Sequence, residues 1–300
     1  MSNAGVVNDQ YIAEIRERRR KALVAVMYCA YGDESRDDTL KRVYAVAGVW
    51  GHQEEWDAIE GPWKERLGGR VLHAADCEFG HGDFSDLGPG EGKAIIRDLI
   101  TILVNSRLCG GGTAINVAEY THSFPRDFVD APYLWGFGDV LHHFAELTSV
   151  AIPTGTLSEV VFDRNEPIEY NASALYEWMR VTKKLGRHLA DKLSFACRRT
   201  IGIQVADLFA REVMKNFDAQ LDGSKRPTRI SFQKLYATQR FRFLNVGKLD
   251  FERRKVELAN GKYGADASMA AYYRWLEENR LKDCLTNRIE HMKHLIEPEV

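Results

Sequence analysis

The chain has 300 residues, 45% of them hydrophobic and 28% charged, the composition of an ordinary globular protein with a sizeable core. Its formal net charge of −2 excludes a global pull toward nucleic acid or membrane, so any such affinity has to come from a local patch. The five cysteines, Cys29, Cys77, Cys109, Cys197 and Cys284, contain no Cys-x-x-Cys pair, and no apolar run is long enough to span a bilayer. A reducing, cytoplasmic setting is the expectation.

Residues 1–20 read as an N-terminal arm, in which Tyr11, Ile12 and Ile15 combine with Arg16, Arg18, Arg19 and Arg20 into a short amphipathic, basic helix. The run Lys21-Ala-Leu-Val-Ala-Val-Met-Tyr-Cys-Ala-Tyr-Gly-Asp-Glu-Ser35 follows. Without polar alternation it fits a strand buried on both faces, and it ends in two carboxylates, Asp33 and Glu34. A carboxylate at the edge of such a core is expensive to desolvate unless it is bonded, paired or cation-bound, although an acidic turn is the plainer alternative. Val43–Trp50 predicts a second strand in an antiparallel hairpin with the first.

Trp56, Ile59, Trp63 and Leu67 fall at helical spacing, with Gly61-Pro62 expected to kink or split the element. Arg70–Asp76 reads as a short strand or strand end leading into a Gly-rich acidic loop, Cys77–Gly92. Ile95, Ile96, Leu99, Ile100 and Leu103 mark an amphipathic helix. Gly110-Gly-Gly112 reads as a turn before the strand Thr113–Ala118, because no Gly-Lys-Ser/Thr follows to make it a phosphate loop. Tyr133–Val150 is predicted helical and stopped by Pro153-Thr-Gly155.

Leu157–Asp163 repeats the opening device, a β-branched run that ends in a carboxylate and a turn. A helix through Leu175, Trp178 and Met179 comes next, then a strand with Leu193, Phe195 and Cys197 on one face. A further helix opens at Ile201, and in it Gln204, Asp207 and Arg211 form one polar stripe among apolar residues. A surface ion pair between Asp207 and Arg211 is the bland explanation of that stripe.

Taken together, Asp33, Asp163 and Asp207 could converge at one end of a sheet. Crowded carboxylates raise one another's pKa unless a cation neutralises them, and Mg²⁺ or Mn²⁺ suits an all-oxygen donor set. Two such ions about 4 Å apart serve phosphodiester cleavage. Asp33-Glu-Ser, the second strand followed by Trp56, Leu72-His-Ala-Ala-Asp76, Val161-Phe-Asp163 and Gln204-Val-Ala-Asp-Leu-Phe-Ala210 resemble, in order, the motifs of the family called domain of unknown function 3800. That family is similar to the ribonuclease H-like superfamily. The resemblance spans roughly residues 22 to 215 and implies an α/β fold, a mixed sheet flanked by helices, over a catalytic domain of 21–218.

The resemblance further implies that Asp33 bridges the metals, Asp163 binds one of them and Asp207 completes the site from its helix. Glu34, His73 and Asp76 are further candidates, with Gln204 placed to orient a phosphate or a metal-bound water. Glu34, Asp76 and Glu78 compete for a fourth acidic position.

The remaining segment, 219–300, is expected to be a mostly helical extension. Residues 225–255 hold ten Lys or Arg against two acids. Arg226, Arg229, Lys234, Arg240, Arg242, Arg253 and Arg254, interleaved with Phe232, Tyr236, Phe241, Phe243 and Phe251, suit phosphate contacts and base stacking, or equally an irregular segment whose aromatics pack on the main domain. Helices over 265–296 offer a cap or a self-association surface. The function expected is a divalent-metal-dependent nuclease acting on RNA or DNA. Its rivals are a nucleic-acid-binding or defence-complex module without turnover, and a zinc hydrolase built on His73, Asp76, Cys77 and His81.

Overall fold

The computed structural model describes residues 28–37, 41–124, 131–151, 157, 159–182, 188–223 and 227–259. The basic arm, the first residues of the opening strand, Pro153–Gly155, Arg226 and the helices expected over 265–296 lie outside the described residues.

Six strands form one mixed sheet in the order β5-β4-β1-β2-β3-β6. β1 (Tyr28–Arg36), β2 (Val43–His52) and β3 (Cys109–Asn116) are an antiparallel meander. β4 (Glu159–Asp163) runs parallel to β1, and β5 (Leu193–Ala196) parallel to β4. These parallel pairs need long crossovers, which the chain supplies as helices. The expected α/β class, a mixed sheet flanked by helices, is observed.

On one face lie α1 (Gln53–Leu67), α3 (Glu91–Asn105) and α7 (Ile201–Leu221). Their Trp63, Leu99, Leu103, Leu208 and Phe209 close a core with Cys29, Ala45, Ala47 and Val49 of the sheet. The short α2 (Ala74–Phe79) sits on the same side. On the other face α5 (Ala131–Ala151) and α6 (Glu166–Thr182) bury Phe137, Leu141, Phe144 and Leu175 against Ala30, Val46, Val160 and Phe162. Both faces being covered, the central strands have no polar side to show, which is why their sequences read as unbroken apolar runs. A short α4 (Val117–Ser123) follows β3. Among the described residues no helix is long and apolar enough to cross a membrane.

Three local expectations are corrected. Gly61-Pro62 neither splits nor ends α1, because both residues and Ala58 face solvent, where water can meet the carbonyl that the proline leaves unbonded. Residues 70–73 form no strand, and 74–79 are helical. The three glycines lie inside β3 instead of in a turn. A Cβ on Gly110 would stand 2.7 Å from the Phe241 ring, one on Gly111 3.0 Å from His143, and one on Gly112 2.7 Å from Val213. Glycine there admits large neighbours on both faces of the sheet. Cys197 also falls beyond the end of β5, exposed.

The described part of 219–300 is tied to this sheet. α8 (Ile230–Ala237) leads into β6 (Phe241–Val246), which pairs in parallel with β3, and α9 (Lys248–Ala259) follows. Phe241 and Phe243 pack on Phe209 at ring separations of 5.1 and 5.5 Å, Phe232 packs on Phe243, and Phe251 meets Tyr120 and Trp135. Of the five aromatics considered for base stacking, Tyr236 is the one that stands well exposed.

Candidate active site

The register of β1 and β4 decides where two of the acids go. The parallel ladder runs from Cys29 opposite Glu159 to Gly32 opposite Phe162, so the next pair along is Asp33 and Asp163. Strand alternation puts Asp33 on the face of Cys29 and Tyr31, the face that α7 covers. Asp33 is only 5% exposed, and its Oδ1 accepts the Glu34 backbone N–H at 2.7 Å.

The third acid arrives on α7. Gly202 lets the first turn of that helix lie against β1, since a Cβ there would stand 2.2 Å from the Tyr31 ring. One and a half turns later Asp207 is buried, 5% exposed, and its Oδ2 accepts the Ala74 backbone N–H at 2.7 Å. The suspected Asp207–Arg211 pair does not form. Arg211 instead donates two hydrogen bonds to Glu78, from Nε at 3.1 Å and Nη2 at 2.9 Å.

Electrostatics ties these carboxylates into one cluster. Burial pushes Asp33 well above the usual carboxylate range, and Asp207, Glu34 and Asp163 add to the rise in that order. Burial likewise raises Asp207, against the pull of His73, the Ala74 N–H and Arg198. Asp163 is raised by burial and pulled back chiefly by Arg198, whose Nε lies 3.8 Å from its Oδ2. Glu34 is raised too, but it points to the opposite face, where Asn165 Nδ2 donates to its Oε1 at 2.8 Å. The alternation of the strand thus separates the adjacent acids.

The other candidates have partners of their own. His73 acts on both Asp163 and Asp207, and its Nδ1 stands 2.7 Å from Asp76 Oδ2. Gln204 is not turned toward a substrate. Its Oε1 accepts from Trp63 Nε1 at 3.1 Å and the Leu72 N–H at 3.3 Å, and its Nε2 donates to the Arg198 carbonyl at 2.9 Å. It therefore pins the segment before His73 and the turn carrying Arg198 to the acid-bearing helix.

Glu78, a candidate for the fourth acid, is held below its ordinary range by Arg229 and Arg211 in spite of its burial, and is occupied by that pairing. The zinc arrangement is not formed. Cys77 is buried with its thiol pushed up to about 12 by desolvation, and its Sγ–H is directed to the Gly92 carbonyl at 3.5 Å.

Within the basic segment two of the candidates are spent on internal contacts. Arg229 bridges Glu78 at 2.6 Å and the fully buried Glu212 at 2.9 Å, and Ser231 completes the network on Glu212. Arg240 donates to the carbonyls of Val104, Ser106 and Leu108, closing the end of α3. Those two residues are structural. Arg242 pairs with Glu146 on the surface at 3.0 Å, Lys234 reaches Thr101, and Arg254 lies over the Trp135 ring at 5.3 Å.

Comparison with solved structures finds similar folds of low identity. Ribonuclease HII of Archaeoglobus fulgidus, in its complex with PCNA, is 12% identical at a TM-score of 0.39 over 71% of this chain and 87% of that one. Ribonuclease H2 of Pyrococcus horikoshii is 11% identical at 0.40, over 69% and 84%. Bst ribonuclease HIII in complex with Mn²⁺ is 12% identical at 0.41, over 81% and 72%. At this distance the likeness says nothing of family, activity, metals or catalytic residues. No family model matches the chain, and no curated protein sequence does. The resemblance to domain of unknown function 3800 rests on the ordered motifs alone.

The donor set nonetheless has the chemistry of a hard-cation site. Asp33 is a buried carboxylate on which three further carboxylates act, and oxygen-only donors suit Mg²⁺ or Mn²⁺. Among the described residues no group of three or more His, Cys, Asp or Glu side chains is disposed to hold a metal ion.

Two residues of this neighbourhood went unmarked in the sequence. Asn165 holds Glu34, and Arg198 faces Asp163. The usable signal for Arg198 was its place in the turn leading directly into the acid-bearing helix.

Proposed function

We propose that this chain is a divalent-metal-dependent nuclease that hydrolyses phosphodiester bonds of RNA or DNA, with Asp33, Asp163 and Asp207 holding Mg²⁺ or Mn²⁺. The observation that carries the reading is Asp33. Burying a carboxylate in the company of three others is unfavourable in any purely structural role, and a bound cation is the ordinary remedy. The ions would supply charge neutralisation at the scissile phosphate and an activated water.

The chain's own residues would do the rest. Asp33 and Asp163 present oxygens from adjacent strands, and Asp207 presents one from α7, with its other oxygen fixed by the Ala74 N–H. Gln204 sets the distance between the helix and the Leu72–His73 segment. His73, its Nδ1 2.7 Å from Asp76 Oδ2, stands at the margin of the site.

A Mn²⁺-supported cleavage assay on single-stranded RNA, single-stranded DNA and an RNA–DNA hybrid tests the proposal. Wild type should cleave at least one of them and Asp163→Asn none at a comparable rate. The rival reading is a nucleic-acid-binding or defence-complex module without turnover. That reading is the result if the metal adds no cleavage while Asp33→Asn still binds.

A further inference from the structure

We propose that Arg198 is the internal counter-charge of the acidic site and, once a metal ion has replaced it there, a contact for a substrate phosphate. This rests on the metal-dependent reading above and adds a residue that no motif supplied.

Four observations carry it. The guanidinium is close to the acids, with Nε 3.8 Å from Asp163 Oδ2. It is not locked there, because 3.8 Å is longer than a hydrogen bond and the side chain is 52% exposed. Its backbone is locked: the Arg198 carbonyl accepts from Gln204 Nε2, and the Thr200 N–H donates to the Cys197 carbonyl across the same turn. The turn in turn opens α7, the helix that carries Asp207. A fixed backbone bearing a free, charged side chain beside an acid cluster is an arrangement for exchange of partners.

The physical sequence is simple. With no cation, Arg198 provides part of the positive charge that the carboxylates lack. Were Asp33, Asp163 and Asp207 to hold a divalent cation, its charge would stand in place of the Arg198 guanidinium, so the two would compete. A displaced guanidinium presents a planar fork of donors at the mouth of the site, a geometry that matches two oxygens of a phosphodiester. The nucleic acid that brings such a phosphate would also screen the guanidinium from the metal. The arginine therefore opposes metal binding in the free protein and assists substrate binding in the loaded one.

The experiment measures both halves on the full chain. Mn²⁺ affinity is read by isothermal titration. Affinity for a fluorescein-labelled oligonucleotide with phosphorothioate linkages is read by anisotropy in Mn²⁺. Arg198→Ala should bind Mn²⁺ about five-fold more tightly than wild type, the size of one water-screened charge pair at this separation. The same variant should bind the oligonucleotide about ten-fold more weakly, with a shallower dependence on salt. Arg198→Lys keeps the charge and loses the fork, so its Mn²⁺ affinity should return to the wild-type value while oligonucleotide binding recovers only in part.

Unchanged Mn²⁺ affinity in Arg198→Ala, or unchanged oligonucleotide affinity, overturns the proposal and leaves the metal-dependent reading standing. If wild type itself binds no Mn²⁺, both fall together.

Discussion

Replacing Asp33 with asparagine should stabilise the metal-free protein while abolishing its response to metal. Asp33 and Asp163 continue the β1–β4 ladder opposite one another, on strands whose backbones lie about 4.8 Å apart. Two ionised carboxylates about 5 Å apart repel by roughly 3 kcal/mol at the effective dielectric of about 20 that suits protein sites. The protein can escape that repulsion by keeping a proton on Asp33, which at pH 7 costs about 4 kcal/mol for a group of ordinary pKa near 3.9, and this sets the ceiling. An asparagine retains the oxygen that accepts the Glu34 N–H and carries no charge. The expected gain is about 2 kcal/mol, or roughly 3 °C in melting temperature for a protein of this size.

The sign with pH follows from the direction of the shift. Burial and the neighbouring acids raise Asp33 in the folded state, so the folded protein binds more protons than the unfolded one above the ordinary carboxylate range. Stability of the metal-free wild type should fall as pH rises from about 4 toward neutrality, and the advantage of Asp33→Asn should widen over the same interval. Thermal unfolding in EDTA at acidic and neutral pH, followed by circular dichroism, measures it; Mn²⁺ should then raise the wild-type transition and leave the variant's unmoved. A variant that melts below wild type in EDTA at neutral pH would refute the reasoning, because the carboxylate would then be satisfied without a cation.

Gln204→Leu leaves the Trp63 indole N–H and the Leu72 N–H unpaired in the core, and should destabilise by about 2 kcal/mol. A chemical denaturation midpoint equal to wild type would argue against that linkage. Arg229→Ala strands the buried Glu212 and should cost about 3 kcal/mol in the same assay. Its oligonucleotide affinity at a temperature where it is folded should equal that of wild type, since its guanidinium is spent inside the protein.

What the sequence displayed depended on the range of the forces involved. The covered central strands were readable because a strand buried on both sides cannot carry a polar face, and the helices α3 and α5 because one stripe of each is apolar. Asp33, Asp163 and Asp207 were picked out because a carboxylate that ends or interrupts an apolar run calls for a partner. Local composition gave no view of the partners themselves. Arg229 and Arg240 belonged by composition to a basic surface, yet one neutralises Glu78 and Glu212 and the other closes the end of α3, contacts that span more than a hundred residues of chain for Glu78 and for α3. The three glycines of β3 misled for a similar reason: glycine marks a turn when its own backbone requires it, and here its neighbours on both faces require it.

The pairing of β6 with β3 bears on how the chain can be shortened. A polypeptide ending near residue 218 would keep every acid discussed above but lose the strand that covers β3. What remained would be a flat border, with unpaired amides and three consecutive residues lacking side chains, open to any passing strand. Such a fragment should aggregate by edge-to-edge addition, so the last part of the described chain is a protective rim for the fold as well as a candidate surface for nucleic acid.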